Sequence, residues 1–236
     1  MTAIVDAQPR ILLFDIDGTL LTADGAGRRA LSLAFHDVCG RSDAVEGIDF
    51  RGMTDTLIIE HALGGGTGLT GNCNIQDIYS AYLRHLECEL ARRQSARAFP
   101  GVLSLLDRLR KQRKPLAVGL GTGNIEQAAY MKLGRVGLAE YFNFGGFGSD
   151  HRNRSELLRI GAARGAKLLG FALADCTVVV IGDTYHDVDA ALAIGAQCIG
   201  VGTSGKTPSE LRLRGASYAF DNLEDPLVME ALCGPF

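Results

Sequence analysis

The amino-acid sequence predicts an α/β protein built on a doubly wound parallel sheet, with a helical segment inserted after the first strand. Short apolar runs alternate with amphipathic stretches over most of the 236 residues. The stretch 23–96 interrupts this alternation with helical patterns. Polar residues directly follow several apolar runs, as is typical of strand ends in an open parallel sheet. Because strands separated by helices connect through right-handed crossovers, these observations together favour a parallel sheet covered by helices.

Six apolar runs are predicted to be strands. They are 10–17, 115–122, 141–149, 176–183, 196–202 and 217–220. Amphipathic stretches between several of these runs are predicted to be helices, at 101–112, 125–137, 155–170 and 187–195. One more helix is expected at 208–215, where Pro208 suits a first helical turn because its missing N–H costs little there.

The inserted segment contains three helical patterns and no convincing strand. The patterns are 26–40, 54–63 and 74–93. The glycine cluster 64–68 lacks a following Gly-Lys-Ser/Thr, so we interpret it as a turn between helices. We therefore predict an α/β core formed by 1–22 and 97–236, and a helical cap formed by 23–96.

Composition and charge exclude several classes of protein. The chain is 47% hydrophobic with a net charge of −3 and no run of basic residues, which argues against a nucleic-acid or anionic-membrane partner. The first ten residues do not resemble a secretory signal, and no apolar run is long enough to cross a bilayer. The six cysteines are scattered without a C-x-x-C pair, so we expect reduced, mostly buried thiols in a cytoplasmic protein.

The strongest chemical pattern is FDIDGTL, residues 14–20, at the end of the first predicted strand. Residues two apart in an extended chain point the same way, so Asp15 and Asp17 should project together and favour a cation between them. Gly18 permits a sharp turn, and Thr19 supplies a hydroxyl group. A calcium loop is excluded because Gly18 is fourth rather than sixth and Ala26 occupies the twelfth position. A polar turn without function would half-bury two acids for no gain.

A second acidic pattern, VIGDTYHD, ends the strand predicted at 176–183. Asp183 and Asp187 lie four residues apart and would share one face of a beginning helix. Asp183 alone has a plain alternative as a helix N-cap. Together with Asp15 and Asp17, however, it supplies the hard oxygen ligands that Mg²⁺ prefers.

A third pattern, GLGTGN at 119–124, also lies at a strand end. The Thr122 hydroxyl and the N–H groups of Gly123 and Asn124 could bind a phosphate at a helix N-terminus. A helix cap with a glycine turn explains the same stretch equally well.

The three patterns in this order resemble the haloacid dehalogenase-like hydrolase superfamily, and the helical segment after the first pattern resembles its C1 cap. The similarity extends over nearly the whole chain, and the cap resembles that of the phosphoglycolate phosphatase and β-phosphoglucomutase branch. It implies a Rossmann-like core and a Mg²⁺-dependent phosphatase, with Asp15 as nucleophile and Asp17 as general acid/base. It further implies that Gly18, Thr19 and the Thr122 stretch bind phosphate. The implied metal ligands are Asp15, the Asp17 carbonyl and Asp183, with Asp187 behind them.

One position departs from the family pattern. The family places a Lys between the Thr and Gly-Asp motifs, usually ahead of a helix, to balance the charges of nucleophile and phosphate. The corresponding stretch here, 146–158, contains no Lys. Arg154, or less well Arg152, could replace it, because Arg is always charged and binds phosphate through two N–H groups. A surface position for Arg154 remains the alternative.

Other residues are weaker candidates for contact with a substrate. Arg51, in the stretch that joins two predicted cap helices, could meet an anionic substrate or simply be solvated. His186 and His151 lie near strand ends, where ordinary loop roles are at least as good. The stretch GVGTSGKT at 200–207 spells a P-loop, but Pro208 removes an N–H and little chain follows for further metal-binding strands. Lys206 is therefore expected at the rim or leaning over the active site.

These observations predict an enzyme that hydrolyses a small phosphorylated metabolite through an aspartyl-phosphate. Two alternatives remain open: a phosphomutase that uses the same acids, and a weakly active or non-enzymatic phosphate-binding protein, which the missing Lys suggests. A dehalogenase has no need of Asp17. A phosphonoacetaldehyde hydrolase needs a cap Lys to form a Schiff base, and the segment 23–96 contains none.

Overall fold

A computed structural model describes residues 8–64, 73–92 and 96–234. Its centre is a sheet of six parallel strands in the order β5-β4-β1-β6-β7-β8. The strands are β1 (Arg10–Phe14), β4 (Leu116–Thr122), β5 (Gly145–Phe147), β6 (Thr177–Gly182), β7 (Gln197–Val201) and β8 (Tyr218–Phe220). The doubly wound parallel sheet predicted from the sequence is confirmed, and every strand lies within the run predicted for it.

The central strand β1 shows why this sequence forms a sheet covered on both faces. Its side chains point alternately to opposite faces. Leu12 and Phe14 belong to the apolar cluster on one face, and Ile11 and Leu13 belong to the cluster on the other. All four are fully buried. A strand without a polar face must be buried on both sides, which is typical of parallel sheets.

Nine α-helices lie within the described ranges. They are α1 (Ala26–Cys39), α2 (Asp55–Ala62), α3 (Ile75–Arg92), α4 (Val102–Arg110), α5 (Glu126–Arg135), α6 (Arg154–Leu169), α7 (Tyr185–Ala193), α8 (Pro208–Arg214) and α9 (Val228–Cys233). The predicted helices match α1 to α8 within about two residues at each end, which is the usual uncertainty of helix bounds. Helix α9 was not predicted. In the part of the chain that the structure describes, no helix combines the length and apolarity needed to span a membrane.

Helices α1, α2 and α3 lie between two very short strands, β2 (Leu21–Thr22) and β3 (Arg97–Ala98), which pair antiparallel. The sequence did not predict this ribbon because two residues are too few to show an alternating pattern. We refer to α1–α3 as the inserted helices. Of the predicted glycine turn at 64–68, only Gly64 falls within the described residues. The division of the chain into core and cap domains stays a prediction.

The inserted helices are joined to the sheet by hydrogen bonds at the start of α2. The backbone N–H of Asp55 donates to the Gly123 carbonyl at 2.8 Å. The hydroxyl groups on either side of it donate to core carbonyls, Thr54 to Arg152 at 3.0 Å and Thr56 to Gly148 at 2.7 Å. The beginning of α2 is therefore fixed against the ends of β4 and β5.

The cysteines differ from the expectation of reduced, mostly buried thiols. Cys39, at the end of α1, and Cys73, just before α3, form a disulfide with their Cα atoms 5.6 Å apart. Helices α1 and α3 pack against each other, which brings together two residues that are 34 apart in sequence. Of the four free thiols, Cys198 and Cys233 are buried, whereas Cys88 is exposed. The sequence spacing of Cys39 and Cys73 alone could not indicate that they pair, because the pairing depends on how α1 and α3 pack.

Two glycines allow helix α6 to lie unusually close to strand β5. A methyl group at Gly146 would overlap the main-chain carbonyl of Leu157, and one at Gly161 would lie 2.8 Å from the Gly146 nitrogen. Both obstacles are main-chain atoms, which cannot move aside as a side chain can. This close packing fixes the position of the N-terminus of α6, where Arg154 lies.

We expect Gly146→Ala to lower the melting temperature, because the added methyl must push helix and strand apart. Overpacking of this kind costs roughly 1–3 kcal/mol, which corresponds to a fall of several degrees in a chain of this size. The matched control is Gly134→Ala in α5, where an added methyl meets nothing within 4 Å. That change should raise stability by about 0.5–1 kcal/mol, since alanine favours a helix. Equal melting temperatures for the two variants would contradict this account of the packing.

Candidate active site

Side chains from three neighbouring strands meet at the carboxyl edge of the sheet. Asp15 follows β1, Thr122 ends β4 and Asp183 follows β6, and β1 lies between the other two strands. The chain winds away from β1 in both directions, so this edge is the switch point where open α/β sheets bind ligands. These residues and the inserted helices line a cavity of about 430 Å³.

Three buried carboxylates cluster at one side of this cavity, and two of them, Asp15 and Asp183, line it. Oxygens of Asp15, Asp183 and Asp187 all lie within 4.8 Å of one another. Burial raises the pKa of Asp15 to about 6, although the charge of Arg154 opposes the shift. Burial also raises the pKa of Asp183 to about 8, and the charges of Asp187 and Asp15 add to the effect. Burial first, and the neighbouring carboxylates second, therefore make ionisation of Asp15 and Asp183 unfavourable.

The residues of this cluster fit a divalent cation. Carboxylate oxygens are the hard ligands that Mg²⁺ prefers, and a cation between them would offset both their burial and their mutual repulsion. Thr19 donates a hydrogen bond to Asp183 at 3.0 Å and so orients this carboxylate. The Asp17 carboxylate does not belong to the cluster. It forms an ion pair with Lys132 instead.

Asp187 connects the cluster to the start of helix α7. Its Oδ2 accepts hydrogen bonds from the Thr184 N–H at 3.0 Å and from the Thr184 hydroxyl at 2.7 Å. The N-cap of α7 is therefore Thr184, and the alternative interpretation of Asp183 as the cap is wrong. This arrangement leaves Oδ1 of Asp187 to accept from the Arg154 Nε at 3.1 Å.

Arg154 lies inside the site and not at the surface. Its side chain is 8% exposed, and its Nη2 lies 3.0 Å from Oδ2 of Asp15. Burial alone would lower the pKa of Arg154, but the carboxylates of Asp15 and Asp187 raise it, so the guanidinium stays charged. Arg152 points elsewhere and forms an ion pair with Glu60 of α2.

The stretch after β4 holds Thr122 and Asn124 in contact. The Asn124 side-chain amide donates to the Thr122 hydroxyl oxygen at 2.9 Å and to Oδ2 of Asp17 at 2.8 Å. Gly123 permits a close approach of the inserted helices, because a methyl group there would overlap the Met53 carbonyl. Helix α5 begins at Glu126, two residues after Asn124.

Lys132 of α5 belongs to the site, although sequence reasoning did not predict it. Its Nζ lies 2.6 Å from Oδ2 of Asp17 and 2.6 Å from Oδ1 of Asn124. Burial alone would lower the pKa of Lys132, but the nearby carboxylates of Asp17 and Asp55 raise it. A lysine that keeps its proton is a poor nucleophile toward a carbonyl group, so this lysine does not favour Schiff-base chemistry.

The stretch that spells a P-loop supports the acidic turn from outside. Gly18 has a positive φ of 85°, and a side chain there would overlap Asp183 and Ser204. The Thr203 hydroxyl donates to the Gly18 carbonyl. Pro208 occupies the first turn of helix α8, as expected from the sequence, and Thr207 caps this helix. The stretch is thus a strand-to-helix connection that packs on the site.

Three of the four weaker candidates, Arg51, His186 and Lys206, differ in their relation to the cavity. Arg51 lines the cavity but is exposed and pairs with Asp49 at 2.7 Å. His186 packs against Gly52 of the insert, and Lys206 lies with its Nζ 4.4 Å from the centre of the Tyr185 ring. Neither is among the described residues that line the cavity.

Comparison with known families identifies this arrangement. A family model described as haloacid dehalogenase-like hydrolase matches residues 9–195. The chain belongs to the haloacid dehalogenase-like hydrolases. Its acidic turn, strand-end threonine and Gly-Asp pair are the three patterns on which the sequence-based resemblance rested, and that resemblance is confirmed. No curated protein matches the chain in sequence.

Several solved structures share the fold of this chain. CbbY from Rhodobacter sphaeroides, crystallised in complex with phosphate, is 18% identical with a TM-score of 0.68, over 92% of this chain and 96% of that one. A putative β-phosphoglucomutase from Thermotoga maritima is 18% identical with a TM-score of 0.60, covering 94% and 99%. A predicted phosphoglycolate phosphatase from Haemophilus somnus is 18% identical with a TM-score of 0.59, covering 94% and 98%. At these identities the similarity establishes the fold.

We expect Arg154→Ala to lower phosphatase turnover by on the order of a hundredfold, because it removes a charged donor in contact with Asp15. Arg154→Lys should keep a larger share of the turnover, since it keeps the charge but loses the two-pronged contact. The measurement is kcat on an aryl phosphate, with Arg152→Ala as the matched control. Equal, mild effects of Arg154→Ala and Arg154→Lys would show that the charge of Arg154 is not used.

Proposed function

We propose that this chain is a Mg²⁺-dependent phosphatase that hydrolyses a small phosphomonoester through an aspartyl-phosphate. One observation carries the proposal: two carboxylates two residues apart have opposite surroundings. Asp15 is buried within the acidic cluster, 3.0 Å from Arg154, whereas the Asp17 side chain is 45% exposed and pairs with Lys132. Pairs of acids held in different environments are typical of sites that divide the roles of nucleophile and acid/base between them.

The proposed reaction has two displacements at phosphorus. A carboxylate oxygen of Asp15 attacks, and its bond to phosphorus forms as the bond to the leaving oxygen breaks. Asp17 gives its proton to the leaving oxygen and then takes a proton from water. That water attacks the aspartyl-phosphate, and the bond between phosphorus and Asp15 breaks to release inorganic phosphate. Arg154 and the Thr122 hydroxyl would stabilise charge on the transferring oxygens.

The residues proposed to hold the cation are Asp15, Asp183 and the main-chain carbonyl of Asp17. When bound, Mg²⁺ would supply Lewis-acid charge that balances Asp15 and the phosphoryl oxygens. Asp187 would not bind the cation directly but would orient Arg154 through its hydrogen bonds. Gly18, Thr19, Gly123 and Asn124 are proposed to shape the phosphate pocket, through the turn after β1 and the segment before α5.

The position of the inserted helices over the cavity is consistent with a small substrate. They cover the cavity from the side of α2, and the hydrogen bonds of Asp55 and its neighbours hold them there. A covered site excludes bulk water while the ester is cleaved. CbbY, whose structure contains phosphate, shares this fold. A phosphorylated metabolite is therefore the proposed substrate, and the cytoplasmic location expected from the sequence stays a prediction.

Two alternatives differ in how the structure affects them. A phosphomutase would use the same acids, and release of inorganic phosphate from a phosphorylated sugar distinguishes hydrolysis from isomerisation. The weakly active or non-enzymatic alternative was motivated by the missing family Lys. Two buried cations, Arg154 and Lys132, now lie within 3.0 Å of Asp15 and Asp17. That observation favours the enzyme.

We expect Asp15→Asn to lower kcat/KM for an aryl phosphate by on the order of a thousandfold or more, because no covalent intermediate can form. The matched control is Asp175→Asn, an exposed acid outside the site. It should leave activity unchanged. Activity of Asp15→Asn within tenfold of the wild type would remove Asp15 from the role of nucleophile.

Excess chelator should abolish turnover, and added Mg²⁺ should restore it, because the buried carboxylates are proposed to work only around a cation. Asp183→Asn should raise the Mg²⁺ concentration needed for half-maximal activity, since it removes one of the charged ligands. A titration of activity against free Mg²⁺ measures both effects. Full activity in excess chelator would reject the metal-dependent mechanism.

A further inference from the structure

A buried lysine connects the turn after β1 to the segment after β4. Neither the sequence patterns nor the proposed mechanism gives this lysine a role. Lys132 lies in the second half of α5, with its side chain 6% exposed. Its ammonium group reaches the cavity beneath α1 of the insert, where a methyl group on Gly27 would lie 3.6 Å away. The ammonium contacts Asp17 and Asn124, each at 2.6 Å.

A purely structural role explains these contacts poorly. Burying an ammonium is costly unless it is paired, and replacing a buried ion pair by apolar groups often leaves stability unchanged or improved. An ion pair is therefore weak evidence for a stabilising function. Both contacts of Lys132, in addition, go to residues that the proposed mechanism uses.

The contact with Asn124 determines how this side chain is oriented. An amide oxygen, and not an amide nitrogen, must face an ammonium group. With Oδ1 on Lys132, the Asn124 Nδ2 donates to Asp17 and to the Thr122 hydroxyl oxygen. Because that hydroxyl oxygen already accepts, its own proton is left to donate to a phosphoryl oxygen.

The contact with Asp17 distinguishes its two carboxylate oxygens. Oδ2 accepts from both Lys132 and Asn124, at 2.6 and 2.8 Å. Oδ1 accepts no hydrogen bond from the side chains and backbone groups that the structure describes. A proton carried by Asp17 would therefore sit on Oδ1, since Oδ2 already faces two donors.

We propose that Lys132 is a positioning residue for phosphoryl transfer: it fixes Asp17 so that Oδ1 exchanges the proton, and it orients the Thr122 hydroxyl through Asn124. The inference rests on the proposed phosphatase function. It assigns to this chain two cations with separate tasks. Arg154 serves the nucleophile Asp15, and Lys132 serves the acid/base Asp17.

The test compares two substrates that differ in their need for an acid. Nitrophenyl phosphate has a good leaving group that departs almost without protonation, whereas phenyl phosphate has a poorer one. The value of kcat/KM covers only the steps up to departure of the leaving group, so it isolates the first use of Asp17. The variants are Lys132→Met and Lys132→Gln, with Lys167→Met on the exposed side of α6 as the matched control.

Lys132→Met should lower kcat/KM for phenyl phosphate at least about tenfold more than for nitrophenyl phosphate, because positioned acid catalysis contributes roughly a hundredfold or more. Lys132→Gln keeps a hydrogen-bond donor and should fall between Lys132→Met and the wild type. If Lys132→Met does not fold, as judged by its circular dichroism, the Lys132→Gln comparison decides alone. Lys167→Met should match the wild type on both substrates.

A second measurement asks whether Lys132 acts through Asp17. In an Asp17→Asn background, Lys132→Met should lower kcat/KM for phenyl phosphate by a smaller factor than it does in the wild-type chain, because the part of its effect that acts through Asp17 is already lost. Equal losses on both substrates, or full additivity in this cycle, would overturn the inference and leave the proposed function intact. A wild-type chain that hydrolyses neither substrate would overturn both.

Discussion

The structure depends on negative charge that is buried at one edge of the sheet. Asp15, Asp183 and Asp187 are buried, and their carboxylate oxygens lie within 4.8 Å of one another. Burial raises the pKa values of Asp15 and Asp183. Ionised carboxylates in such a place are unfavourable unless cations and hydrogen-bond donors compensate them. The remaining features of the site, Arg154, Thr19 and the Thr184 cap among them, are arranged around this requirement.

Compensation takes a different form for each of the two acids in the turn after β1. Asp15 faces the buried cluster and Arg154, which comes from the first turn of α6. Asp17 turns toward α5 and meets Lys132. Because the two cations come from separate helices on either side of the turn, each carboxylate has its own electrostatic surroundings. Two neighbouring acids can therefore differ in chemistry while they share one loop.

Sequence reasoning found the residues whose position follows from the strands, and missed those whose position follows from packing. Asp15, Thr122 and Asp183 were expected together because the ends of parallel strands meet at one edge. Lys132 lies ten residues after Thr122, on a helix whose distance from Asp17 depends on how it packs against the sheet. Its only sequence indication was a charged residue on the apolar side of α5, between Ala129 and Leu133. The Cys39–Cys73 pair was missed for the same reason, since it depends on how α1 packs on α3.

The P-loop spelling at 200–207 follows from the same edge of the sheet. A strand that ends there must turn sharply, support the acidic turn and start a helix within a few residues. A side chain at Gly202 would come close to Pro208 and to the Lys206 carbonyl. Gly205 has a positive φ, which favours glycine. Thr203 contacts the Gly18 carbonyl, and Thr207 begins α8. Glycines, hydroxyls and a helix start are also the parts of a phosphate-binding loop, so a loop that supports the acidic turn at this edge can resemble one in sequence.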